Sequence, residues 1–153
     1  MAILTKDEAR TILQKVLGLS KAEGCGATLN GNINGNVRYA RNTVTTGGSF
    51  QDTTLAVQSN YGKRSGVATT NEFDDAALER TVRRAEELAK LAPENPEFMP
   101  LLGPQEYAEV QGWVDATAAV TPAYRAKVAG DSIGPCRDKK LVAAGYLEDS
   151  ATF

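Results

Sequence analysis

The fold is decided by residues 53–70, which read TTLAVQSNYGKRSGVATT. Two segments rich in β-branched and apolar residues, 53–58 and 65–70, flank a short polar connection at Tyr61-Gly62-Lys63. Segments of this composition predict strands, and the glycine favours a tight turn between them. Strands joined by so short a connection pair antiparallel, because parallel pairing needs a crossover of about a dozen residues or more. We therefore predict an antiparallel hairpin in the middle of the chain.

Helical patterns lie on both sides of this hairpin. Residues 5–17 place apolar side chains on one helical stripe, and Thr5 with Glu8 has the spacing of a capping box. Residues 74–92 carry a second stripe, made mostly of alanine, which suits close packing on a sheet. A third helix is predicted to begin at Thr121-Pro122, with the threonine hydroxyl at the cap. Two glycines and a proline weaken it, and its apolar face would comprise Ala126, Ala129, Ile133 and Cys136.

The remaining segments predict further strands and two irregular stretches. Residues 37–40 and 44–46 have the composition of strand pieces, and 141–147 predicts a final, largely buried strand. Residues 30–36, NGNINGN, contain two Asn-Gly pairs that favour turns with positive φ, so we expect a mobile hairpin loop there. Residues 93–104 hold four of the six prolines, and we expect an extended arm on the surface.

Taken together, these elements predict an α+β fold. We expect a mainly antiparallel sheet of about four to six strands, with helices packed on one face. A chain of 153 residues has the size of one ordinary domain and buries roughly 70% of its extended surface on folding. We therefore expect residues 1–153 to form a single domain.

The composition excludes several kinds of catalytic site. The chain has no histidine, which removes Ser-His-Asp and Cys-His nucleophiles and every zinc site that uses imidazole. Two cysteines cannot supply a four-cysteine zinc site. Catalysis by carboxylates alone, or by a residue completed from another chain, stays open.

Charge and hydropathy limit the kinds of partner and the cellular compartment that we expect for this chain. Lys and Arg number 17 against 19 Asp and Glu, a formal net charge of −2 that argues against direct nucleic-acid binding. No apolar run approaches the roughly 20 residues of a spanning helix, so we expect no membrane contact. Two cysteines are too few for a disulfide framework, which makes the reducing cytoplasm the expected location.

One polar cluster, RYARN at 38–42, is a candidate binding site. Alternation along a strand would place Arg38 and Ala40 on one face, with Tyr39 and Arg41 on the other. One interpretation is a half-solvated strand in which Asn42 turns the chain. The other is substrate binding, in which Arg38, Arg41 and Asn42 line a groove for an extended peptide or its carboxylate.

The order of several motifs along the chain resembles a known family. The motifs are the capped N-terminal helix, RYARNTVT at 38–45, GKRSGVATTN at 62–71, Asp74, a helix with Arg84-Ala85 and Leu88-Ala89, Pro93, Asn95-Pro96 and AAGY at 143–146. This series is similar to the N-terminal domain of the TldD/PmbA proteins, which are called modulators of DNA gyrase and regarded as zinc metalloproteases.

The resemblance implies a cytoplasmic protease of bacteria or archaea that works on unfolded peptides as a homodimer or as a heterodimer with a related subunit. In the family, a helical His-Glu-x-x-x-His motif and a later cysteine hold zinc in the C-terminal half. None of those positions exists in this chain, so no catalytic and no metal-binding residue carries over. The resemblance thus implies a non-catalytic N-terminal domain that helps form the peptide cleft and the dimer, with zinc expected in a missing C-terminal domain.

Two other functions stay open from the sequence. The chain could be a stand-alone peptide-binding module, in which an exposed sheet edge captures extended peptides through main-chain hydrogen bonds. It could also be a gyrase-associated regulatory protein, an interpretation that rests on the family's label alone.

Overall fold

The structure is a computed structural model that describes residues 4–103 and 105–153. In chain order its elements are α1 (Lys6–Leu19), β1 (Gly24–Ala40), β2 (Thr43–Tyr61), β3 (Arg64–Thr70), α2 (Asp75–Leu91), α3 (Asp115–Ala118), α4 (Pro122–Asp138) and β4 (Gly145–Thr152). The strands form one sheet in the order β3-β2-β1-β4, and β1 pairs antiparallel with β4, as β2 does with β3. The α+β prediction is confirmed, with the strand count at the low end of the expected range.

The described residues fall into two compact units. The first, which we call the α1–α2 unit, comprises residues 4–31 and 53–109 apart from Pro104. The second, the α4 unit, comprises 32–52 and 110–153. Each unit contains part of β1 and part of β2, because these two strands are 17 and 19 residues long.

In the α1–α2 unit, helix α2 packs on strand β3 through small side chains. Ala85 and Ala89 are fully buried, and Leu78 is almost so, as the alanine stripe predicted. At Gly66 the helix backbone approaches the strand so closely that an added Cβ would lie 2.5 Å from the carbonyl oxygen of Ala85. The helix can sit this close to the sheet only because residue 66 has no side chain.

The local signals at element ends are confirmed. The Thr5 hydroxyl accepts from the amide of Glu8 at 3.3 Å, and the Glu8 carboxylate accepts from the amide of Thr5 at 2.8 Å, which completes a capping box. The predicted hairpin is also present: β2 ends at Tyr61 and β3 begins at Arg64. Gly62 in the turn has φ of 56°, a value that glycine adopts without strain.

The prediction of a mobile loop over 30–36 is wrong, because all seven residues lie within β1. Residues 32–36 of this run pair with β4, where Asn34 faces Ser150 and Gly35 faces Asp149. Asn34 is also buried, so tertiary pairing outweighs the turn preference of the Asn-Gly pairs. The strand pieces at 44–46 and 53–58 are likewise parts of one long strand, β2.

The predicted buried strand over 141–147 is also corrected. Strand β4 begins only at Gly145, and Leu141 and Val142 are 57% and 73% exposed. Helix α4 runs through Pro135 to Asp138, and the chain then turns. A side chain, described below, holds this connection in place of a strand partner.

The predicted arm carries neither helix nor strand over 93–103, and all of these residues except Phe98 are exposed. Pro104, the last residue of the prediction, lies outside the described residues. The amide of Asn95 anchors the arm by donating to the carbonyl of Lys63 at 2.9 Å. Within the described ranges, no helix combines the length and apolar character that crossing a bilayer requires.

Candidate functional site

Helix α4 buries a charged side chain on its apolar stripe. Arg125 is 4% exposed and lies at helical spacing with Ala129 and Ile133, which are also buried. Thr121 caps the helix just before this position, as the sequence predicted, so the helix begins one turn before the arginine. A buried guanidinium needs partners, because an unpaired buried charge is very costly.

The Arg125 guanidinium lies across three strands of the α4 unit. Its Nη1 donates to the Asp149 carboxylate on β4 at 2.7 Å, and its Nη2 donates to the Ser49 hydroxyl on β2 at 2.7 Å. Between these partners it passes over Gly35 of β1, the residue that pairs with Asp149. A Cβ at Gly35 would lie 2.7 Å from Nη2 and closer still to Nη1. Glycine therefore provides the space in which the guanidinium lies flat.

Beside this arginine, helix α4 and strand β2 enclose an open cavity of about 340 Å³, which we call the α4–β2 groove. Its walls include Pro122, Arg125 and Ala126 of α4, Val44 and residues 47–49 of β2, and Val37 of β1. Among the described residues, Arg125 is the single charged side chain in this lining, and Asp149 neutralises it. The groove thus offers mainly apolar surface, at the lower end of the size of ligand pockets.

The β2 residues of the groove, Val44 and 47–49, belong to an unpaired strand edge, residues 43–50 of β2, which we call the open edge. Pairing of β2 with β3 covers only Leu55 to Tyr61, and no strand in the described part of the chain pairs with the outer side of 43–50. All eight residues, TVTTGGSF, are exposed. The sequence has no charged residue and no proline, which are the usual devices that prevent a sheet edge from pairing with another strand.

Among the residues that the structure describes, two other unpaired stretches of strand, in β4 and in β1, differ from the open edge. Strand β4 carries the exposed Glu148, and such a charge discourages edge pairing. In the α1–α2 unit, residues 24–31 of β1 also lack an outer strand among the described residues, but six of these eight are buried or half-buried. The open edge of β2 differs from both, since it is uncharged and fully exposed.

Asn42, a predicted binding residue, is engaged within the chain. Its Nδ2 donates to the carbonyl of Leu141 at 2.9 Å, and its Oδ1 accepts from the amide of Ala143 at 2.7 Å. Its own carbonyl accepts from Arg137 at 3.0 Å. Asn42 also has φ of 59°, so the prediction that it turns the chain is confirmed. These bonds hold the connection that follows helix α4.

The structure places Arg38 and Arg41 apart from the groove lining. Arg38 is exposed on β1, opposite Tyr146 of β4. Arg41 is exposed in the turn with φ of 52°, so the strand alternation predicted for it is wrong, because β1 ends at Ala40. The binding role proposed for Arg38, Arg41 and Asn42 stays a prediction.

Sequence reasoning missed Arg125, Ser49 and Asp149. The predicted stripe of the third helix included Ala126, which is exposed, where the structure buries Arg125. A signal was present, since Arg125 precedes Ala129 and Ile133 at four-residue spacing. Its partners lie 76 and 24 residues away, and no local pattern connects them.

Over 4–103 and 105–153, no three Cys, Asp or Glu side chains lie close enough together to hold a metal ion. Cys25 and Cys136 are both free thiols.

Two of three comparisons match this chain to known proteins. The family model of PmbA/TldA metallopeptidase domain 1 matches residues 29–89. A search of curated proteins gives no match. Among solved structures, TldE from Thermococcus kodakarensis aligns with a TM-score of 0.74 at 13% identity, over 95% of this chain and 34% of that one.

Two further structures share the fold. A proposed modulator of a DNA gyrase from Thermotoga maritima aligns with a TM-score of 0.69 at 12% identity, over 94% of this chain and 33% of its own. Another, from Bacteroides thetaiotaomicron, gives 0.63 at 10% identity, over 97% and 40%. This chain thus spans between 33% and 40% of the length of these proteins. The match over residues 29–89 and the shared fold support the resemblance seen in the sequence: over that segment this chain is similar to the first domain of the PmbA/TldA metallopeptidases.

Proposed function

We propose that this chain is the non-catalytic first domain of a TldD/PmbA-type zinc metalloprotease, and that it helps to bind unfolded peptides. The observation that carries the proposal is the open edge, residues 43–50 of β2. An extended peptide laid against this edge would add a strand to the sheet. Main-chain hydrogen bonds would then provide affinity with little dependence on sequence, as an enzyme for unfolded chains needs.

Two features of the open edge support this function. It is long enough to pair with a peptide of several residues, since strands in globular proteins are commonly about 5–6 residues long. It also lacks protective charges, although exposed uncharged edges favour aggregation unless a partner covers them. A bound peptide strand would cover this edge and satisfy its free main-chain groups.

The test is fluorescence anisotropy with a labelled, unstructured octapeptide of mixed Ser, Thr, Gln and Leu. We expect saturable binding that weakens about ten-fold or more when alternate peptide amides are N-methylated, because these amides donate the strand hydrogen bonds. Thr46→Lys places a charge on the open edge and should weaken binding, whereas Thr69→Lys on the exposed face of β3 should not. Absence of saturable binding, or equal binding of the N-methylated peptide, would refute the proposal.

The non-catalytic role of this chain is tested through its response to zinc. The metal is expected in a further domain of the family, so the purified chain should show no zinc-dependent peptidase activity. Cleavage that a chelator abolishes and zinc restores would contradict a non-catalytic role. The cytoplasm is the proposed compartment, with which the two free thiols are consistent.

The proposed role in a homodimer or heterodimer is tested separately. Sedimentation velocity over a range of concentrations measures whether the chain self-associates. If the open edge also pairs with a second copy, the octapeptide should dissociate that dimer, since the two would compete for the same main-chain groups. If the peptide leaves the dimer intact, the two subunits contact each other through a surface other than the open edge.

A further inference from the structure

We infer that the α4–β2 groove is a selectivity pocket for one apolar side chain of the peptide bound at the open edge. This inference rests on the proposed function and specifies it. Main-chain pairing alone is independent of the peptide sequence. The pocket would add a preference for one kind of side chain at a single peptide position.

The geometry follows from the alternation of side chains in a strand. Successive residues of a strand added to β2 would point to opposite faces of the sheet. On one face, α4 stands beside β2 and forms the groove together with Val44 and residues 47–49. A peptide residue directed to that face would place its side chain in the groove, while its neighbours would point away.

The chemistry of the lining favours an aliphatic or aromatic side chain. Val37, Val44, Pro122 and Ala126 supply apolar surface. Arg125 does not attract a peptide carboxylate, because its guanidinium is 4% exposed and already holds Asp149. Asn36 and Ser49 are the polar uncharged residues of the lining, and the Ser49 hydroxyl already accepts from Arg125, so most of the groove surface favours an apolar side chain.

The size of the groove is compatible with this occupant. About 340 Å³ of open space holds one large apolar side chain with part of its backbone, but not an entire folded partner. Gly47 and Gly48 form part of the β2 wall, and a Cβ at Gly47 would lie 3.5 Å from the carbonyl oxygen of Asn36. A Cβ at Gly48 would meet no atom within 4 Å.

The experiment compares two labelled octapeptides that differ only at one central position, Leu or Ser, on a Ser/Thr/Gln background. We expect the Leu peptide to bind about ten-fold more tightly or better, because burial of a leucine side chain favours binding. Ala126→Phe fills the groove from an exposed helix position and should abolish the preference. Ala123→Phe, at an exposed position of the same helix outside the lining, is the matched control and should keep it.

The outcomes separate the two proposals. If both peptides bind equally to the wild type, the selectivity pocket is refuted and the strand-addition function stands. If Ala126→Phe weakens both peptides by the same factor, the groove does not discriminate and the inference is again refuted. If neither peptide binds, the proposed function fails and the inference fails with it, and a self-associated edge seen by sedimentation would then identify a second copy as the occupant.

Discussion

Removal of the carboxylate of Asp149 should destabilise the α4 unit more than any surface charge change. In Asp149→Ala, Arg125 loses its ionic partner but keeps its place over Gly35, because Gly35 provides the space in which it lies. The buried guanidinium is then left with the neutral Ser49 hydroxyl as its remaining named partner. A buried charge lowers the free energy of unfolding most when its ionic partner is missing.

The expected loss of stability follows from the burial of the Arg125–Asp149 ion pair. Removing one partner of a buried ion pair costs about 3–5 kcal/mol in free energy of unfolding. Asp149 is 17% exposed and Ser49 still accepts a bond, so we expect the lower end, about 3 kcal/mol. For a chain of this size, that loss lowers the melting temperature by about 6–12 °C.

The assay is urea denaturation followed by fluorescence of Trp113, the one tryptophan of the chain, which lies in the α4 unit. Arg125→Met combined with Asp149→Ala should recover part of the stability, because no buried charge is left unpaired. Asp131→Asn, which removes an exposed partner of Lys127 on the same helix, is the control and should leave the midpoint unchanged. If Asp149→Ala unfolds no earlier than Asp131→Asn, the pair does not stabilise the unit.

Three further predictions concern packing, pH and binding. Gly66→Ala should cost about 2 kcal/mol by calorimetry, because its Cβ would meet the backbone of α2, whereas Gly18→Ala, with open space around it, should stabilise helix α1 slightly. Burial would raise the pKa of Glu86, but bonds from the Lys21 amide and from Arg83 hold it below its ordinary 4.5. Glu86→Gln should therefore be less stable than wild type above pH 4.5, and denaturation across pH should show the difference closing as acid protonates the wild type. Arg41→Ala should weaken octapeptide binding by about 1–3 kcal/mol if it donates a charge-assisted bond, and unchanged anisotropy would remove that role.

The parts of the fold that local chemistry determines could be predicted from the sequence. Helices α1 and α2 followed from their apolar stripes and from capping side chains within three residues. The β2–β3 hairpin followed from a glycine between two strand-like segments. In each case the stabilising contacts join residues that are close in sequence, so the sequence pattern is enough to predict the element.

Strand β1 and the α4 unit could not be predicted because their contacts are distant in sequence. The Asn-Gly run of 30–36 has the local preference of a turn, yet its pairing with β4 joins residues more than 100 positions apart. In the sequence, Arg125 resembles a solvent-exposed helix residue. Its burial depends on Gly35, Ser49 and Asp149, which the fold brings next to it. A charge on an apolar stripe becomes informative only once its partners are known.

The open edge and the buried arginine are linked by one hydrogen bond. Residues 43–50 are exposed and paired on one side, so they gain little from burial, and Ser49 is the point at which the helix holds them. Arg125 is therefore a positioning residue for the wall of the groove. In Asp149→Ala the guanidinium keeps Ser49 as its one named partner and is held less firmly, so at a temperature where the variant is folded it should bind the Leu octapeptide with a reduced preference over the Ser octapeptide. If the preference is unchanged while stability falls, the shape of the groove does not depend on Arg125 and the arginine serves folding alone.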